Sequence, residues 1–186
     1  MNVYDFDQTI YYPDSSYHFF LFCLKKYPQF VFPVIPAGIV RAIRYKKGSI
    51  NAKALKETLF SFLRRIPDAD RAVCDFWAEH RGFLQDWYLK QKREDDLIIS
   101  ASPDFLLRPL TDELGVRLIA TPMDRHTGII SGENCHDEEK VTRFRAMFPE
   151  ERIENFYSDS LSDAPLARLA EKAWLVKKGV LSPWPE

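Results

Sequence analysis

Asp5-Phe6-Asp7-Gln8-Thr9, almost at the N-terminus, is the stretch on which the fold turns. It follows the apolar pair Val3-Tyr4, and residues 2–6 predict a buried strand. On an extended backbone, residues i and i+2 project to the same side. Asp5 and Asp7 therefore leave the strand together, into one small volume. Two like charges so close repel unless a cation or a shared proton relieves them. Alone, the stretch is equally an ordinary capped turn, because Asp and Thr are common turn residues.

Outward from this stretch the chain changes character twice. Asp14-Ser15-Ser16 offers N-cap residues to an apolar helix over residues 17–24. Residues 27–40 carry no charge, but Pro28, Pro33 and Pro36 interrupt them, and the run falls short of the roughly 20 residues a membrane span needs. Ala52, Leu55, Leu59, Phe62, Leu63 and Ile66 recur at helical spacing. A further helix is expected from Pro67-Asp68 to about residue 92, with Trp77, Phe83 and Trp87 as core aromatics. Beyond residue 96 short apolar strands alternate with helices. Leu97-Ile98-Ile99, 116–120, 155–158 and 173–176 are the strands; helices begin at Pro103-Asp104, Glu138 and Ala164, the last expected to run to Lys172. Residues 123–134, with Gly128 and Gly132, suggest a short antiparallel excursion, and a Pro-containing tail follows residue 176.

This order predicts an α/β protein: a three-layer, Rossmann-like core with a parallel sheet and an inserted α-helical cap. Residues 1–13 and 93–186 would form the core, and residues 14–92 the cap. Ligands of such sheets sit at the carboxyl ends of the strands. Asp5 and Asp7, Ser100, and Asp159 with Asp163 all fall there. Taken singly, Ser100 is a helix-entry residue, Lys140 a surface lysine, and Asp159 and Asp163 loop and cap residues.

Composition narrows the function classes. The 186 residues carry a net charge of −1, which gives no global pull toward nucleic acid. Cys23, Cys74 and Cys135 are scattered without C-x-x-C spacing, which predicts reduced thiols and a cytoplasmic setting. An acid at residue 5 and no apolar region after the start predict no secretory signal. His18, His80, His126 and His136 show no ligand spacing and are assigned no role.

With these residues in place, the sequence resembles the haloacid dehalogenase superfamily, in its phosphoserine-phosphatase-like subfamily IB with a helical C1 cap. Asp5–Thr9 is similar to motif one and Ile98-Ile99-Ser100-Ala101-Ser102 to motif two. Lys140 stands as motif three, and Tyr157-Ser158-Asp159-Ser160-Leu161-Ser162-Asp163 as motif four. The resemblance implies an Mg2+-dependent phosphatase working through an aspartyl-phosphate. Asp5 would be the nucleophile and Asp7 the acid/base, a residue that separates phosphatases from true dehalogenases. Asp5, the Asp7 carbonyl and Asp159 would hold the metal, and Asp163 a metal-bound water or Lys140. Ser100, the backbone amides of Ala101 and Ser102, and Lys140 would bind the phosphoryl oxygens. The pattern departs from the family at Gln8 and Ser158, where many members carry Gly, and at Ala101-Ser102, where Gly-Gly is common. Asp14, near where phosphoserine phosphatases carry a substrate-binding Glu, would touch substrate or cap the next helix.

The expected cap is chemically uneven. Nineteen of the 26 aromatic residues lie within the first 88 positions, and no acid occurs between Asp14 and Glu57. This basic, aromatic segment also somewhat resembles the phosphatidylglycerophosphatase C-like branch of the family. The substrate is therefore expected to be a small phosphorylated metabolite or a lipid phosphate, with peripheral contact to an anionic inner-membrane face through residues 17–47. The other reading of the segment is a buried helix with snorkelling lysines. The alternatives to a phosphatase are a catalytically degenerate membrane-surface or partner-binding module, and a phosphomutase.

Overall fold

A computed structural model describes residues 1–185; residue 186, the last of the expected core, lies outside them. The chain begins with β1 (Asn2–Tyr4) and then runs through helices only until residue 96. These are α1 (Ser15–Lys26), α2 (Pro28–Val31), α3 (Ile35–Lys46), α4 (Ala52–Leu59), α5 (Ala69–His80) and α6 (Asp86–Gln91). Then come β2 (Leu97–Pro103), α7 (Asp104–Leu114), β3 (Arg117–Thr121), α8 (Glu138–Met147), β4 (Ile153–Ser158), α9 (Ala164–Ala167), β5 (Ala170–Lys177) and β6 (Val180–Pro183).

The six strands form one sheet in the order β3-β2-β1-β4-β5-β6, parallel except for the β5–β6 pair. β1 is central although it is only three residues long. Its neighbours lie 94 and 153 residues away in sequence, with Val3 opposite both Leu97 and Phe156. Alternation along the strands splits the interior in two. Val3, Leu97, Ile99 and Phe156 point to one face, where Phe144 of α8 and Leu166 of α9 cover them. Tyr4, Ile98 and Tyr157 point to the other, against Leu106, Leu107 and Leu110 of α7. Apolar residues on both faces of a parallel strand require a layer on each side, and the expected three-layer α/β architecture is what the chain adopts.

The second face also receives the helices between β1 and β2. Phe19, Phe22, Phe76, Trp77 and Tyr88 belong to the same buried cluster as Tyr4 and Ile98. The Trp77 indole N–H donates to the Leu106 carbonyl at 2.6 Å, tying α5 to α7.

Five expectations need correction. The helix expected to reach residue 92 breaks after His80 into a tight turn at Arg81–Phe83, and α6 starts afresh at Asp86. Backbone pairing wins there: Leu84 bridges Tyr11, and the Gln85 N–H donates to the Ile10 carbonyl at 2.8 Å. Phe83 consequently loses its place in the helix periodicity and is 46% exposed rather than core. The helix expected to Lys172 stops at Ala167, because residues 170–175 pair with β4; ladder bonds and burial override helix propensity. The expected tail contains β6. Lys178 (φ 52°) and Gly179 (φ 79°) form a two-residue turn with both φ positive, the geometry that joins antiparallel strands. The excursion at 123–134 is reduced to a single Met123–Ile130 bridge.

Candidate active site

The carboxyl ends of β1, β2 and β4 meet at a cavity of about 230 Å3 lined by Asp5, Asp7, Ser100, Lys140, Asp159 and Asp163, among others. Asp5 follows β1 directly, and its N–H donates to the Tyr157 carbonyl at 2.8 Å, which fixes the strand end. Lys140 lies in the first turn of α8, is 2% exposed, and reaches across the cavity floor. Its ammonium donates to Asp5 Oδ1 at 2.9 Å and Asp163 Oδ2 at 2.8 Å. Burial opposes the Lys140 charge, but the Asp5 and Asp163 carboxylates outweigh it and hold the ammonium above the usual lysine range. Burial likewise raises the Asp5 carboxyl, with Lys140 pulling it back and Asp163 and Asp7 adding to the rise.

Asp7 is held differently. Its Oδ1 accepts the Ser15 N–H at 2.6 Å and its Oδ2 the Ser102 hydroxyl at 2.5 Å. Ser15 and Ser16 hydroxyls in turn meet the Ser102 hydroxyl at 3.1 and 2.8 Å. Burial, then the charge of Asp14, push the Asp7 carboxyl up. Such a group holds a proton well above ordinary carboxylate pH, which suits an acid/base.

The positions expected to bind phosphate separate into two kinds. The Ser100 hydroxyl oxygen accepts the Ser102 N–H at 3.0 Å, so the 102 amide is engaged within the loop and its hydroxyl serves Asp7. Ser100 keeps its own proton for donation. Ala101 lines the cavity, while its carbonyl accepts from Lys56 and Thr121. Asp14 caps α1 through the Tyr17 N–H at 2.8 Å and also lines the cavity wall. In the β4 loop the Thr9 hydroxyl accepts the Asp159 N–H at 2.9 Å, and the Ser158 hydroxyl donates to Asp163 Oδ2 at 2.7 Å. Ser158 therefore has a bonding role where family members often carry Gly. Gln8, at φ 58°, takes a left-handed backbone that Gly would adopt without penalty.

Sequence reasoning missed three residues here. His136 lines the cavity, with Nδ1 2.9 Å from Asp137 Oδ2 and Nε2 3.4 Å from the Ser162 hydroxyl. Lys177, at the end of β5, donates to the Asp159 carbonyl. Lys56 of α4 donates to the Ala101 carbonyl at 2.6 Å and Asn134 Oδ1 at 2.8 Å. No spacing rule links these positions; Lys56 lies 45 and 78 residues from its partners.

No set of three His, Cys, Asp or Glu side chains among the described residues is placed to enclose a metal alone. The donors present nevertheless suit Mg2+, which is bound by one or two carboxylates and keeps several waters. They are all oxygens, and Asp163 Oδ1 is buried with no partner. An unpaired buried carboxylate oxygen is costly unless a cation or water meets it.

The model of the haloacid dehalogenase-like hydrolases matches residues 3–168, and the chain belongs to that family of hydrolases. Protein CicA of Caulobacter vibrioides (strain NA1000 / CB15N) is 27% identical over 194 residues, covering 95% of this chain and 86% of the relative. A protein of unknown function from Bordetella pertussis Tohama I superposes with a TM-score of 0.71 at 23% identity, covering 93% and 87% of the two chains. A phospho-aspartyl intermediate analogue of phosphoserine phosphatase superposes with a TM-score of 0.59 at 14% identity, covering 92% and 83%. The fold is thus that of the phosphoserine-phosphatase-like members.

Proposed function

We propose that this protein is a phosphatase that hydrolyses phosphomonoesters through Asp5. The observation that carries the reading is the buried Lys140, bonded to both Asp5 and Asp163 beneath a cavity that Asp7 and Ser100 also line. Lys140 occupies Asp5 Oδ1, and none of the described hydrogen bonds occupies Oδ2. That oxygen attacks phosphorus while the ester P–O bond breaks, and protonated Asp7 gives its proton to the departing alkoxide. Water then attacks the aspartyl-phosphate, Asp7 takes a water proton, and phosphate leaves with Asp5 regenerated. Lys140 and the Ser100 hydroxyl offset the negative charge on the phosphoryl oxygens. Asp5, the Asp7 carbonyl and Asp159 would hold Mg2+, with Asp163 on a bound water, and the ion supplies charge neutralisation at the phosphoryl group. The similar fold of a phosphoserine phosphatase solved as a phospho-aspartyl intermediate analogue supports this reading.

The test is hydrolysis of an aryl phosphate with Mg2+. Asp5→Asn should lower the rate at least about 10^3-fold, as loss of a covalent nucleophile does. Turnover that survived the substitution would sink the mechanism. A binding-only module has no need of so complete a set of charged side chains, and a phosphomutase would demand a bisphosphate activator.

We further propose that the helices over residues 14–92 form the cap and that the enzyme works in the cytoplasm against an anionic membrane face. Among the described residues no helix is long and apolar enough to cross a membrane. Yet Phe32, Ile39, Val40 and Ile43 are each more than half exposed along the outer side of α3 and the turn before it. Arg41, Arg44, Lys46 and Lys47 flank them. Apolar side chains between cations suit the interface of an anionic bilayer. The protein should pellet with phosphatidylglycerol vesicles and be released by salt, and Ile39→Asp with Ile43→Asp should abolish pelleting. Equal recovery with neutral and anionic vesicles would refute the contact.

A further inference from the structure

Beside the phosphoryl cavity lies a roomier cleft of about 660 Å3 between α1 and α4. The two share Asp7, Gln8, Asp14 and Ala101 as a common wall. The organic half of a substrate whose phosphorus sits on Asp5 therefore has a roomy place beside it, of a size that holds a small organic ligand. Its lining is apolar: Tyr12, Tyr17, Phe20, Leu55, Leu59 and Phe60.

The charged groups of the cleft are already engaged. Lys56, the one cation among the described lining residues, donates its ammonium to the Ala101 carbonyl and Asn134. Asp7 is bonded to Ser15 and Ser102, and Asp14 to the α1 N-terminus. Among the described residues no arginine lines the cleft. A phosphorylated amino acid would bring a carboxylate to this place with no cation to receive it, and an unpaired charge against apolar walls is strongly disfavoured. An apolar alcohol would instead trade water for Phe20, Leu55, Leu59 and Phe60.

We propose that the α1–α4 cleft is the seat of the leaving alcohol, and that the substrate is the phosphomonoester of an apolar alcohol. Lys56 is a positioning residue: by joining α4 to the β2 loop it holds the apolar wall against the phosphoryl cavity. The assignment rests on the phosphatase reading for where phosphorus sits, but not on turnover.

Binding of n-alkylphosphonates from ethyl to octyl to the full chain in Mg2+, followed by titration calorimetry, tests it. Phosphonates carry a C–P bond that the enzyme does not hydrolyse, so affinity is read without chemistry. Affinity should rise about fourfold per methylene until the cleft is full. Leu55→Gln, a conservative change for a helix, should flatten that gain, and Leu55→Trp should end it at a shorter chain; unfolding midpoints verify that both variants fold. A naphthylmethyl member tells an aromatic alcohol from an alkyl chain within the class. Affinity flat with chain length, or tighter binding of the phosphonate analogue of phosphoserine than of the hexyl compound, overturns the proposal. A flat series in an Asp5-dependent phosphatase removes the cleft assignment alone. A chain-length gain in a protein whose hydrolysis survives Asp5→Asn keeps the cleft and removes the mechanism.

Discussion

Lys140 is the residue on which stability and the proposed chemistry converge. It is buried with two carboxylates, and Asp163 Oδ2 accepts from both Lys140 and Ser158. Removing the ammonium leaves Asp5 and Asp163 facing each other without a countercharge. Lys140→Met should therefore cost about 3 kcal/mol near neutral pH, the scale of breaking a buried pair by deleting one partner. The pH dependence has a definite sign. The Asp5 and Asp7 carboxyls are raised in the folded state, so the native protein holds protons that the unfolded chain has released. Stability of the metal-free protein should be fullest near pH 4 and fall as pH rises through about 7. Lys140→Met should steepen that fall, and Mg2+ should counter it more at pH 7.5 than at pH 5. Urea midpoints in chelator and in Mg2+ across this range measure both effects; a midpoint that rose from pH 4 to 7 in chelator would contradict the assignment.

At the scale of elements, close approach rather than motif decides what each position tolerates. Gly128, at φ 72°, places its backbone against the turn after α4, and a Cβ added there would lie 2.5 Å from the Phe60 carbonyl oxygen. Gly128→Ala combines left-handed strain with a backbone clash and should cost about 2 kcal/mol or more. It should also weaken hydrolysis by shifting the turn that carries Phe60 at the cleft wall, as thermal unfolding and kcat/KM together will show. Helix α1 tells the opposite story, because its cap was legible: Asp14-Ser15-Ser16 predicts an N-terminus, and Asp14 accepts the Tyr17 N–H. The Lys178-Gly179 turn carried a signal too, a glycine between short apolar runs, that points to the hairpin once β5 is known to reach Lys177.

At the scale of the whole molecule, one buried cluster spans the sheet and the helices over 14–92. Phe76 packs on Trp77, Trp77 on Phe6 and Tyr11, and Tyr4 on Tyr157. Segments that share a core lose it together. Urea unfolding should therefore be a single transition by both far-UV circular dichroism and tryptophan fluorescence. Separate transitions would show that the helices melt independently of the sheet.

The sequence by itself determined the architecture and the pair of carboxylates, Asp5 and Asp7, that line one cavity. Strand-helix alternation after residue 96 and the spacing of Asp5 and Asp7 are local patterns, and local patterns survive in one dimension. It also located Ser100, Lys140, Asp159 and Asp163, because each follows a strand or opens a helix. Only the tertiary structure decided how these groups are used. It joined the Ser102 hydroxyl to Asp7, brought Lys56 and His136 to the site, and ended α9 where β4 claimed the next strand. The physical reason is common to all three. Each depends on a hydrogen bond or ladder between residues far apart in the chain, whose geometry is set by packing and leaves no periodic trace. For the proposed phosphatase, the Asp5 and Asp7 pair would supply the chemistry and the cleft between α1 and α4 would select what it acts upon.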